Sequence, residues 1–117
     1  MRRGYVDTSL GQVHYRREGA GPPLALFSAS GRSSRMFNGL IPLVSSRFDA
    51  CAFDTPGFGN SDPLPQGTTI ERLAECFIEA LDALGIERTH VYGLHTGNKI
   101  AAAMAARWPA RKWWEFR

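Results

Sequence analysis

The stretch Val91-Tyr92-Gly93-Leu94-His95-Thr96-Gly97-Asn98-Lys99-Ile100-Ala101 decides how the rest of the chain is read. It joins a short apolar strand, a glycine-pinched turn and the opening of an alanine-rich helix. A phosphate-binding P-loop does not fit, because Asn98, Lys99 and Ile100 follow Gly97 where that loop needs Lys and then Ser or Thr. A dinucleotide fingerprint does not fit either, since no second glycine follows Gly93 at the required place. Gly93 and Gly97 do stand two residues either side of His95, which is the spacing of a nucleophile elbow. There the glycines relieve crowding around a strained turn that lifts the central side chain over a sheet.

The flanking chain supplies a setting for that turn. Thr89–Tyr92 reads as the strand before it, with His90 at its start as a surface or capping residue. Residues 97–107 read as the helix after it, stopped by Trp108-Pro109. Upstream, residues 69–84 form the clearest helix. Ile70, Leu73, Ala74, Phe77, Leu81 and Leu84 fall on one stripe, Thr68 and Glu71 make a capping box, and Gly85 provides the stop. Residues 48–53 are a strand that empties into Asp54–Pro63, where Pro56-Gly57 sets a type II turn.

Leu24-Ala25-Leu26-Phe27 is apolar without alternation, as suits a strand covered on both faces. A loop of small residues, Ser28–Ser34, leads to a helical face of Met36, Phe37, Leu40, Ile41 and Val44 that Pro42 should kink or split. Residues 3–8 and 12–17 make a hairpin through Leu10-Gly11, with His14 expected on its exposed side. Strands alternating with helices after a hairpin predict an α/β fold. Its sheet should be antiparallel at first, then mostly parallel and flanked by helices.

Composition narrows the function classes. At 117 residues the chain can bury a core without disulfides, and Cys51 and Cys76 read as small core hydrophobes. Fourteen Lys and Arg against 11 Asp and Glu give a net +3, with the arginines scattered as solvated surface. That argues against a nucleic-acid partner. No metal-ligand spacing or cofactor motif occurs. Met1-Arg2-Arg3 is not followed by an apolar run, and no segment reaches membrane-spanning length, so the expected location is cytoplasmic.

Over roughly residues 4–110 the chain resembles the α/β-hydrolase fold family, in its amino-terminal part only. The opening hairpin, Gly93-x-His95-x-Gly97 and, most specifically, Asp54-Thr-Pro-Gly-Phe-Gly-Asn-Ser-Asp62 carry the likeness to the family's Asp-x-Pro-Gly-x-Gly-x-Ser loop. The resemblance implies that His95 stands at the nucleophile position and that the Thr96 N–H is an oxyanion-hole donor. Ser28-Ala29-Ser30 replaces the family's His-Gly-x, which places the second donor at Ser30. Asp54 is expected to shape its loop, not to serve as the triad acid. The bound species would be a small-molecule substrate or ligand, with no cofactor or metal.

Two departures bear on mechanism. Histidine replaces serine, so position 95 is open to three readings: a nucleophile or water-activating base, a polar turn residue left after serine was lost, or a ligand contact. The acid and general-base histidine should follow the elbow, yet 20 residues follow Gly97 and supply neither. Residues 1–110 then make a partial core domain and 111–117 an atypical tail, either out of frame or an aromatic patch closing the helix. On that reading the elbow strand is an unpaired sheet edge, which predicts marginal stability or self-association. A truncated hydrolase of small esters or related substrates, inactive alone, competes with an inert remnant and with a non-catalytic ligand-binding or interaction protein.

Overall fold

Leu24–Phe27 has no polar side chain to turn toward water, and it lies at the middle of the sheet. The computed structural model describes residues 1–109 and 113–116. Strand β3 (Pro23–Phe27) is flanked in parallel by β4 (Asp49–Phe53) and β5 (Thr89–Gly93). On the β4 side, β2 (Gly11–Glu18) runs antiparallel and β1 (Arg2–Thr8) completes the hairpin. On the β5 side lies β6 (Trp113–Phe116), so the order is β1-β2-β4-β3-β5-β6.

Both faces of the central strands are covered, which is why their sequences do not alternate. Ala25 and Phe27 face helix α2 (Ile70–Ala83) and helix α3 (Thr96–Arg107), packing with Phe53, Phe77, Ile100 and Met104. The Phe27 ring lies 4.8 Å from that of Phe77 and 5.8 Å from that of Phe53. Each such buried ring contributes about 1.5–3 kcal/mol. Leu24 and Leu26 face the other way, toward Phe37 and Ile41. That layer is thinner, a 3₁₀ turn at Ser34–Phe37 and the short α1 (Ile41–Val44). Pro42 lies in the first turn of α1, where its missing N–H has no partner to lose, so it splits the expected helix and does not kink it.

The cap of α2 differs from expectation by one residue. Thr69, not Thr68, accepts from the Arg72 N–H at 3.1 Å, while Thr68 turns back to the Pro65 carbonyl. The far end closes as a Schellman motif, with Gly85 N–H donating to Asp82 and Ile86 N–H to Leu81. Both cysteines are buried free thiols, and burial pushes the Cys51 thiol up to about 12.

Three other expectations are overturned. The elbow strand is not an edge: Trp113–Phe116 pairs alongside it in parallel, leaving β1 and β6 at the margins of the sheet. His14 is not exposed. The loop after β4 folds back over β2, with Asp54 N–H donating to the His14 carbonyl and Asp62 N–H to that of Gln12, and the His14 side chain is buried beneath it. Arg16, expected at the surface, is only 8% exposed because the 3₁₀ turn lies against it, with the Ser34 hydroxyl accepting from its Nε.

Candidate functional site

The chain leaves β3 for β4 in one direction and reaches β5 on the other side of β3 by way of α2. Loops diverging from neighbouring parallel strands in this way leave a crevice at the strands' carboxyl ends, the usual ligand position in open α/β sheets. Here the two loops touch. The Leu94 N–H donates to the Phe27 carbonyl at 3.3 Å, and the hydroxyls of Ser30 and Thr96 lie 2.5 Å apart.

Local crowding accounts for the turn. A side chain on Gly93 would run into the backbone of Gly97 and the Asn98 nitrogen, and one on Gly97 into the Phe27 and Ser28 carbonyl groups. The two glycines therefore let α3 begin directly against β3. The chain turns through His95 at φ 54° and ψ −115°, the one positive φ outside glycine among the described residues. Its carbonyl accepts from Asn98 and Lys99, anchoring the first turn of α3. Such a conformation costs on the order of 1–3 kcal/mol, and glycine adopts it without the Cβ penalty. We expect His95→Gly to raise stability by about 1 kcal/mol after the loss of glycine's extra unfolded-state entropy. A urea titration showing destabilisation instead would remove strain from the account of this turn.

Among the described residues the site has donors but no relay. Among the described residues no acceptor takes the backbone N–H of Ser30 or of Thr96, and Thr96 opens a helix whose dipole favours negative charge there. His95 is exposed, and its imidazole has no hydrogen-bond or ion-pair partner among the described residues. Of the three residues singled out from sequence, Ser30 from the loop after β3 meets Thr96 from the turn after β5, and His95 stands next to Thr96 in that turn.

Asp54 lies elsewhere. Its Oδ1 accepts the Ser34 N–H at 2.6 Å, and its Oδ2 accepts from the Asn60 N–H at 2.8 Å and faces His14 Nδ1 at 3.0 Å. Burial alone would raise this carboxyl, but the hydrogen bonds from Ser34 and Asn60 and the nearby His14 hold it below the ordinary carboxylate value. Sequence reasoning missed His14 and Ser34 as its partners. One signal was available: an aspartate directly after an apolar strand must find donors if it is buried.

The sequence and the fold both match a known family. The profile of the alpha/beta hydrolase fold matches residues 22–111, and the chain belongs to that family. It is 34% identical over 102 residues to haloalkane dehalogenase 2 of Mycobacterium tuberculosis, covering 86% of this chain and 36% of that protein. It is 31% identical over 99 residues to a pimeloyl-[acyl-carrier protein] methyl ester esterase of Aeromonas hydrophila, covering 85% of this chain and 38% of the esterase. An epoxide hydrolase from an endophytic Streptomyces superposes with a TM-score of 0.87 at 27% identity, over 94% of this chain and 34% of that one. The chain spans little more than a third of the length of each. No helix among the described residues is long and apolar enough to cross a membrane.

Proposed function

We propose that this chain forms the amino-terminal portion of an α/β hydrolase for small esters or related substrates. Alone, it would bind a carbonyl group in the Ser30–His95–Thr96 crevice without the turnover of a serine hydrolase. The reading rests on the strained His95 placed beside two backbone N–H groups that lack acceptors among the described residues. Those donors suit an oxyanion. In one chemical route a neutral imidazole nitrogen attacks the carbonyl carbon, the oxyanion collapses to expel the alkoxide, and water cleaves the acyl-imidazole. In the other, the imidazole takes a proton from a water that attacks in its place. Either route gains from a carboxylate that orients the ring, and none among the described residues does so.

That lack of an orienting partner favours a second reading, a ligand-binding protein that keeps the crevice. p-Nitrophenyl acetate hydrolysis separates the two. We expect the purified chain to be no faster than an equal concentration of free imidazole, with His95→Ala unchanged within error. A saturable rate that His95→Ala abolishes would establish a working histidine and overturn the proposal of inactivity.

A further inference from the structure

Arg16 has no counter-charge among the described residues. It sits on β2 opposite Arg3 of β1 on one side and Ala52 of β4 on the other, and it is 8% exposed. Its Nε donates to the Ser34 hydroxyl at 3.0 Å. Its two Nη groups have no acceptor among the described residues, and no carboxylate forms an ion pair with it. The stem of Arg16 is covered while its unpaired Nη groups open onto a cleft, where an anion can reach them.

The surroundings add positive charge. Arg16 lines a polar cleft of about 460 Å³ together with Arg3 and Arg35 of the 3₁₀ turn, neither of which has an ion-pair partner among the described residues. Asn38 and Asn60 line it too. The single carboxylate there, Asp54, is committed to Ser34, Asn60 and His14. Three guanidinium groups against one carboxylate leave the cleft two charges positive.

We propose that this cleft is an anion site that takes a phosphoryl group, as free phosphate or as the phosphate monoester of a small molecule. Guanidinium forks match the paired oxygens of such a group, and three of them around one cleft can meet its terminal oxygens together. A dianion also matches the excess charge. None of Ser30, His95 and Thr96 lines the cleft, so the site stands apart from the crevice at the β5–α3 turn and does not depend on its chemistry.

Calorimetric titration of the purified 117-residue chain at constant ionic strength tests this, with inorganic phosphate, glycerol phosphate and malonate as separate arms. We expect saturable phosphate binding, weakened about tenfold by Arg35→Ala or Arg3→Ala, each exposed enough to leave the fold intact. Arg16→Met should abolish it. Tighter binding of glycerol phosphate identifies an ester as the ligand, and equal or weaker binding identifies free phosphate. Phosphate heats indistinguishable from chloride overturn the site, as does binding unaffected by both exposed substitutions. Malonate binding as tightly as phosphate overturns the phosphoryl assignment.

Discussion

Asp54→Asn is expected to cost about 3–5 kcal/mol at neutral pH, because it takes a buried acceptor from several donors at once and each unmet donor costs about 1–3 kcal/mol. His14 and Asp54 are 2% and 1% exposed, so water cannot replace what is lost. The carboxylate accepts from three donors on separate segments, His14 on β2, Ser34 in the 3₁₀ turn and Asn60 in the loop after β4. An amide at this position would point an N–H₂ at another donor. The pH dependence follows from the sign of the shift. A carboxyl held below its ordinary value contributes stability that is present above its unfolded pKa, about 3.9. That contribution disappears as pH falls through the folded value. Urea midpoints at descending pH should therefore fall for the native chain below about pH 4 and stay nearly flat for Asp54→Asn. A variant within 1 kcal/mol of the native chain at pH 7 would sink this account.

Gly97→Ala should be nearly as damaging, and the direction is informative. In a helix interior alanine ordinarily gains about 1 kcal/mol over glycine. Here the added Cβ would lie 2.7 Å from the Phe27 carbonyl carbon and 2.9 Å from the Ser28 oxygen. Both neighbours are backbone of the central strand and its exit, which cannot swing aside as a side chain would. Relief requires α3 to move off the sheet, which separates Thr96 from Ser30. We expect a net loss of about 2–3 kcal/mol, roughly a 10 °C drop in Tm. Unchanged or raised melting would show that α3 is free to shift without penalty.

Much of this fold could be read from local pattern. The unbroken apolar runs at β3 and β4 follow from burial on both faces, and the α2 stripe follows from helical period. The turn at His95 was legible because its glycines answer a crowding problem a few residues away. His14, Asp54 and Arg16 were not, because their burial depends on partners 18 to 40 residues distant. A strand pattern gives no notice that a later loop will cover one of its residues. β6 escaped notice for a different reason. Its sequence, Trp113-Trp114-Glu115-Phe116, lacks the aliphatic run of β3, whereas Trp and Phe also favour strands and backbone pairing needs no particular side chain.

The strand order also sets a timetable. β3 sits between β4 and β5, and β5 begins more than sixty residues after β3 ends. During synthesis from the amino terminus, the hairpin and β4 can assemble while one side of Leu24–Phe27 still lacks its neighbour. Closing that side demands a long-range contact whose loop entropy comes due before any packing is gained. The interval before Thr89–Gly93 emerges is when an apolar strand with an open flank is most vulnerable to pairing with another chain.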